Sequence, residues 1–251
     1  MSEQIWLTLL LVFIRIAAFV QMMPVISARG VPKHVPVFLS VLLTMLVGPH
    51  APLTEVPSAP SLILAAGGEV ALGLAAGTIL ATLFSALTLA SEIVSQQTGF
   101  AMMQLFNPVM KSNEGPLGIL AGLLAGAMFL TSGMHLKFLM VLARSFNTIP
   151  PGTAGLSDDL ARDVLAMGGE AIALGVQLAG PVVVLVLLIN LFIGMLTRLA
   201  PKMNVFFSVG MSITGTTGIL LFASTLPWML ITHQDTLDGG LRVVAHMFGL
   251  L

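Results

Sequence analysis

The hydrophobic pattern of this chain consists of long apolar runs separated by short segments rich in proline and glycine. A helix of roughly 20 apolar residues crosses the 30 Å or so of bilayer hydrocarbon, and five runs reach that length. These runs are 5–26, 62–90, 117–142, 170–197 and 205–231. The runs 35–48 and 91–106 also predict helices, but the first is short and the second is more polar. The pattern therefore predicts an all-α polytopic membrane protein with six or seven helical elements.

Proline and glycine clusters mark the boundaries between these runs, at 24–36, 48–60 and 107–116. The longest polar segment, 144–163, is too short to form a domain of its own, so we expect one membrane domain over 1–251. The first run carries Glu3 rather than a basic cluster, and Arg15 interrupts it. These features predict a retained first helix rather than a cleaved signal peptide.

Composition supports the membrane assignment and removes several classes of function. Hydrophobic residues make up 57% of the chain and charged residues 8%, whereas about a quarter of the residues in soluble domains are charged. The 10 basic residues are balanced by 11 acidic ones, which gives no basis for nucleic-acid binding. The chain has no cysteine and no recognisable metalloprotease, nucleophile-elbow or phosphate-loop motif, and its histidines are scattered. We expect no enzyme activity, no cofactor and no metal.

The distribution of basic residues gives a weak indication of orientation. If 62–106 is one element, a first group of basic residues falls on one side of the membrane, which the positive-inside rule makes cytoplasmic. This group is Arg29, Lys33, Lys111, Arg198 and Lys202. A second group, Arg144, Arg162 and Arg242, falls on the opposite side. The charge bias between the two sides is therefore small.

A stripe of polar residues follows one helical face near the end of the third run. Its members are Thr88, Ser91, Glu92, Ser95, Gln96 and Gly99, at spacings of three, one, three, one and three. A carboxylate at bilayer depth costs about 2.5–3.5 kcal/mol, so Glu92 is predicted to face protein or water. Two interpretations of Glu92, Ser95 and Gln96 remain open: a helix contact held by hydrogen bonds, or the wall of an aqueous conduit.

Small residues at four-residue spacing predict surfaces where another helix backbone approaches closely. Gly118, Gly122 and Gly126 form one such ridge, and Gly73 and Gly77 form another. The pattern does not say whether the neighbouring helix belongs to this chain. Between the two ridges lies 101–111, an apolar segment rich in methionine, a flexible side chain suited to sealing a gap.

Four segments, in this order and spacing, resemble the FliR family of type III secretion export-gate proteins, whose virulence-system counterparts are the SctT proteins. They are Pro24 to Pro32, Gly73 to Phe106, Gly133 to Pro150, and Arg198-Leu199-Ala200-Pro201-Lys202-Met203-Asn204-Val205-Phe206. The last is the most specific, because it resembles the family's loop between its final two helices. The chain departs from the family at Lys202, where glutamine is common, and at Asn107, where aspartate often precedes the proline.

The resemblance implies a non-enzymatic channel subunit in the bacterial inner membrane, within the flagellar basal body. Such proteins assemble with FliP and FliQ, are joined by FlhB, and pass unfolded flagellar subunits. The implied fold consists of long, kinked helical hairpins. It has a FliP-like part over 1–150, a FliQ-like hairpin over 165–232 and a C-terminal tail over 233–251.

The resemblance also assigns roles to two loops. The family's plug, which lies across the closed pore, maps onto 106–116, and we expect the methionine-rich residues around it to close the conduit. The predicted plug and gasket residues are Met102, Met103, Phe106, Asn107, Pro108, Val109, Met110 and Lys111. The predicted partner-contact loop contains Arg198, Pro201, Lys202 and Asn204. The competing interpretation is a stand-alone secondary transporter or ion channel with Glu92 as its coupling residue. An intramembrane enzyme would need paired catalytic groups, and the apolar runs contain none.

Overall fold

A computed structural model describes residues 2–26, 31–52, 59–100, 115–155, 158–199 and 210–251, and the regular structure of these residues is entirely helical. The helices are α1 (Ser2–Met22), α2 (His34–Val47), α3 (Ala59–Thr98), α4 (Pro116–Thr131), α5 (Met134–Thr148), α6 (Asp158–Leu199) and α7 (Met211–Met247). A short 3-10 turn, Gly48–His50, follows α2. The prediction of an all-α fold is confirmed.

Four of these helices, α1, α3, α6 and α7, are long and apolar enough to cross a membrane, and α4 with α5 forms a broken fifth candidate. The chain is a polytopic helical membrane protein, as predicted. Helix α3 contains 40 residues. At 1.5 Å per residue it is about 60 Å long, twice the thickness of the hydrocarbon. A large part of this helix must therefore lie outside the lipid core.

Two predicted helices have the wrong extent. The run 117–142 is two helices, because the chain breaks between Thr131 and Met134 and Gly133 adopts a φ of 69°, which glycine accepts without strain. The run 205–231 was predicted to be followed by a C-terminal tail, but helix α7 continues to Met247. The more polar sequence after residue 232 lowered the apparent hydrophobicity without ending the helix.

The predicted helix 91–106 and the predicted polar loop 144–163 also differ from the structure. Helix α3 ends at Thr98, and the next residue, Gly99, has a φ of 82°. The interval between α5 and α6 is shorter than predicted, because α5 continues to Thr148 and α6 begins at Asp158. Polar residues at helix ends were assigned to a loop although they are helical.

The chain forms two compact units, each built from segments distant in sequence. The first contains residues 1–84, 129–169 and 236–251. Within it α1 packs on α3: a side chain at Gly73 would meet the carbonyl oxygen of Arg15, and one at Gly77 would lie 2.6 Å from Cβ of Met22. The close packing predicted for Gly73 and Gly77 is present, and the neighbour is a helix of the same chain.

The second unit contains residues 85–128 and 170–235. Helix α6 approaches α3 at Gly175, where an added Cβ would lie 2.7 Å from Leu89. Helix α7 approaches the end of α3 at Gly218, where an added Cβ would overlap the side chain of Thr98. Glycines on α6 and α7 thus allow both helices to lie close to the last turns of α3.

Candidate functional site

The polar stripe occupies the last three turns of α3, and its members differ in exposure. Ser91 and Ser95 are buried, Glu92 is half-buried and Gln96 is exposed. The Ser91 hydroxyl donates to the carbonyl oxygen of Leu87 at 2.9 Å, so its polarity is satisfied within the helix. The stripe is therefore only partly enclosed.

The Glu92 carboxylate lies at the start of α4. Its Oε1 accepts a hydrogen bond from the backbone N–H of Gly115 at 2.5 Å, immediately before the helix begins at Pro116. A negative charge is stabilising at this position, because the first N–H groups of a helix carry a partial positive charge. Glu92 thus links the end of α3 to the beginning of α4.

The glycine ridge of α4 explains how the two helices come so close. An added Cβ at Gly118 would overlap the Glu92 carboxylate, and one at Gly122 would lie 3.6 Å from Cγ2 of Thr88. The ridge faces α3 of the same chain at these two positions. Glycine at 118 leaves the space that the carboxylate occupies.

The described residues nearest in sequence to the predicted gasket form part of a small cleft with both hydroxyl and apolar groups in its lining. Its volume is about 360 Å³, and it is lined by Thr98, Gly99, Phe100, Ser212, Gly215, Thr216 and Ile219. One turn before it, the Ser95 hydroxyl is buried and has no hydrogen-bond partner among the described residues. The polar stripe therefore continues to the point where segment 101–114 leaves α3.

The predicted plug and gasket residues, Met102 to Lys111, lie outside the described residues, as do Pro201, Lys202 and Asn204 of the predicted partner-contact loop. The structure places the ends of both segments. Segment 101–114 begins after Phe100 and is followed by Gly115, which is bonded to Glu92. Arg198 is exposed in the last turn of α6.

A second polar site, which was not predicted, is buried in the first unit. The guanidinium of Arg15 and the carboxylate of Glu69 are both fully buried and form an ion pair, with Nε to Oε2 at 2.5 Å and Nη2 to Oε1 at 3.1 Å. The bidentate geometry satisfies both charges where neither side chain is exposed to solvent.

The remaining polar atoms of this network come from α5 and the turn after it. Arg15 donates to the hydroxyl of Ser145 at 3.0 Å and to the carbonyl oxygen of Ile149 at 3.1 Å, and Glu69 accepts from the N–H of Gly152 at 2.8 Å. The ring of Phe146 lies 4.3 Å from the guanidinium carbon. One ion pair thus holds three helices and a turn together.

The sequence pattern drew attention to Arg15 but did not indicate that Glu69 is its partner. The available signal was chemical: a basic residue inside an apolar helix requires a counterion, and the described apolar helices contain few carboxylates. Glu69 precedes the glycine pair of α3 that packs on α1. A search for the carboxylate on the same face as Gly73 would have proposed this pair.

Comparison with known proteins identifies the family. The family model described as bacterial export proteins, family 1, matches residues 6–239. The chain belongs to this family. The bacterial export family 1 match covers nearly all the described helices and both polar sites.

Relatives named flagellar biosynthetic protein FliR are similar to the chain over most of its length. The relative from Escherichia coli is 31% identical over 90% of this chain and 88% of its own length. The relative from Aquifex aeolicus is 30% identical over 96% and 94%. A shorter match, 30% identical over 62% of this chain and 60% of the relative, is to Yop proteins translocation protein T of Yersinia pestis. The predicted resemblance to the FliR family is confirmed.

Proposed function

We propose that this chain is a channel subunit of the flagellar type III export gate in the bacterial inner membrane. In this proposal it assembles with FliP and FliQ homologues, contacts FlhB, and lines the path taken by unfolded flagellar proteins. Membership of the export family carries the proposal, together with the similarity to proteins named FliR. The subunit acts by forming and closing a conduit and catalyses no reaction.

The outer surface of α6 supports assembly with other membrane helices. Large apolar side chains on α6 are more than half exposed, among them Leu187, Leu191, Phe192 and Met195. Such a surface requires lipid or protein to cover it. Because α6 has 42 residues, about 63 Å of helix, lipid alone covers only about half of its length. Neighbouring gate subunits would cover the rest.

The proposed closing element is segment 106–116 with the methionines that precede it. The hydrogen bond from Gly115 to Glu92 supports this role, because it fastens the end of the segment to the helix from which the segment started. The same bond weakens the alternative of a stand-alone transporter or ion channel. A coupling carboxylate must exchange its ion, whereas Oε1 of Glu92 accepts a hydrogen bond from a backbone N–H.

The first expected result concerns assembly. The tagged full-length chain, co-expressed with its FliP and FliQ homologues and purified in detergent, is expected to elute as a hetero-oligomer and to be unstable when expressed alone. An exposed apolar surface that is covered only in the complex is the physical reason. Size-exclusion chromatography with mass spectrometry of the eluted proteins measures this.

A stable, monodisperse chain that transports a solute when expressed alone would contradict the assembly proposal. Adding an FlhB homologue to the same co-expression tests the partner-contact loop through joint replacement of Arg198, Lys202 and Asn204 by alanine. That variant is expected to retain FliP and FliQ homologues but to crosslink less to FlhB. The matched control is replacement of Arg162, which is exposed elsewhere in the chain.

The second expected result concerns closure. Glu92→Ala removes the charge-assisted hydrogen bond to Gly115. Such bonds contribute about 1.5–3 kcal/mol, so the open fraction should rise roughly 10- to 150-fold. Ion leakage through the assembled gate, measured in liposomes, should increase accordingly, and deletion of 107–113 should increase it further. Gln97→Ala, which is exposed near the end of the same helix and is not a member of the polar stripe, is the control. Unchanged leakage after the deletion would refute the plug assignment.

A further inference from the structure

A cleft in the first unit combines an apolar wall with a cation that has no acidic partner in the described part of the chain. It lies between the end of α2 with its 3-10 turn and the second half of α5, and its volume is about 380 Å³. Its lining residues are Leu46, Val47, His50, Ala51, Met140, Ala143, Arg144, Phe146 and Asn147. The polar members cluster toward the ends of the two helices, and the aliphatic members line the walls.

Arg144 has no acidic partner among the described residues, unlike Arg15, which pairs with Glu69, and Lys137, which lies 3.1 Å from Asp238. An arginine beside apolar membrane helices is stabilised by an anion, and its planar guanidinium matches a phosphate with two parallel hydrogen bonds. Asn147, one turn along α5, offers a neutral amide donor on the same side. The polar end of the cleft is suited to one phosphate group.

His50 is not counted as a phosphate donor in its neutral form. Its Nδ1 lies 3.1 Å from the carbonyl oxygen of Leu46, which can only accept, so Nδ1 carries the proton. The other ring nitrogen then has none to donate. Recognition at the polar end therefore rests on Arg144 and Asn147.

The walls of the cleft are suited to a hydrocarbon chain. Leu46 is 67% exposed and Met140 is 54% exposed, and they continue into further exposed apolar side chains. These are Phe38, Leu42 and Met45 on α2 and Leu136 on α5. A free phosphate ion would leave this strip uncovered, whereas a lipid would cover it with its acyl chain.

We propose that this cleft binds an anionic phospholipid, whose phosphate contacts Arg144 and Asn147 and whose acyl chain lies along Leu46 and Met140. The charge of Arg144 selects a headgroup with net negative charge over a zwitterionic one. The cleft does not include Arg15 or Glu69, although Phe146, which lines it, also contacts the Arg15 guanidinium. Its occupancy is independent of the export function proposed above.

The test uses the full-length chain purified in detergent and native mass spectrometry of retained lipids. Wild type is expected to retain dioleoyl phosphatidylglycerol about tenfold more than dioleoyl phosphatidylcholine. Arg144→Gln should reduce this preference to less than about twofold, whereas Arg162→Gln, an exposed arginine on α6 and outside the cleft, should preserve it. Equal retention by wild type and Arg144→Gln, or equal loss in both variants, would overturn the proposal.

Two measurements on the unmodified chain identify the source of the phosphate. Dioctanoyl phosphatidylglycerol is expected to be retained less than the dioleoyl form, because it covers less of the apolar strip. Equal retention, or displacement by millimolar inorganic phosphate, would show an anion site instead of a lipid site. Loss of the lipid when the chain is co-purified with sister gate proteins would assign the cleft to a protein partner and also overturn the proposal.

Discussion

Glu69→Gln is expected to lower the free energy of unfolding of the chain by about 3 kcal/mol, because it leaves the Arg15 guanidinium charged and fully buried without a counterion. Glutamine preserves the shape of the side chain, so the loss reports charge and hydrogen bonding rather than a cavity. The amide nitrogen of glutamine also cannot accept a hydrogen bond, so the bonds now donated to one of the two carboxylate oxygens are lost.

Unfolding in mixed micelles with increasing dodecyl sulfate, followed by circular dichroism, measures the effect. Glu170→Gln is the matched control, because Glu170 is an exposed carboxylate on α6. We expect it to change the unfolding free energy by less than about 0.5 kcal/mol. Equal effects of the two substitutions would show that the buried ion pair contributes nothing specific.

A double substitution separates the cost of an unpaired charge from the net contribution of the pair. Arg15→Met with Glu69→Leu removes both charges and fills similar volume. The double variant is expected to be more stable than Glu69→Gln, because replacing a buried ion pair by apolar groups is often nearly neutral. A double variant less stable than the single one would mean that the polar network itself, including Ser145 and the turn at Gly152, is needed to hold the helices.

The second large effect is expected from Gly73→Val, at the contact between α1 and α3. An added Cβ would overlap the carbonyl oxygen of Arg15 and would lie 2.8 Å from Cβ of Ala18. Backbone atoms of a helix cannot rotate away, so α1 must move. Overpacking of this kind costs about 1–3 kcal/mol, and here the shift also stretches the adjacent ion pair. We expect a loss near 3 kcal/mol in the same unfolding experiment.

Gly67→Val provides the control for Gly73→Val, since an added Cβ at Gly67 meets nothing within 4 Å and the two glycines share one helix. Both substitutions change helix propensity in the same direction. The difference between them therefore isolates the contact with α1. Gly73→Ala should fall between the two. A loss for Gly67→Val as large as that for Gly73→Val would refute the contact explanation.

The sequence predicted the helical class and most helix positions, because apolar runs of membrane length admit few other structures. The sequence prediction was wrong where the hydrophobicity of a segment does not indicate where its helix ends. The run 117–142 contains only a few polar residues, Thr131, Ser132, His135 and Lys137, and was predicted as one helix, yet it breaks at Gly133, whose backbone has φ of 69°. The sequence after residue 232 reads as polar, yet α7 continues through it. Lipid burial shapes composition, whereas helix boundaries depend on local backbone geometry.

The candidate site was predictable in part. The stripe on α3 followed from periodicity, and its member Glu92 does meet the glycine ridge of α4. The buried pair was not found, because its members are 54 residues apart and the Ser145 hydroxyl is 130 residues from Arg15. No local pattern connects positions so distant. Only the cost of an isolated charge in an apolar helix indicates that a partner exists.

The separation of Arg15 from Glu69 also has a consequence for biosynthesis. The first helix emerges from the ribosome with a charge that costs about 2.5–3.5 kcal/mol at the centre of a membrane helix. Its counterion follows 54 residues later, after roughly 3 to 11 s of translation at 5–20 residues per second. During that interval α1 is a weaker insertion signal than its apolar composition suggests. We therefore expect the membrane-inserted state of α1 to become more stable once Glu69 on α3 has been made and can pair with Arg15.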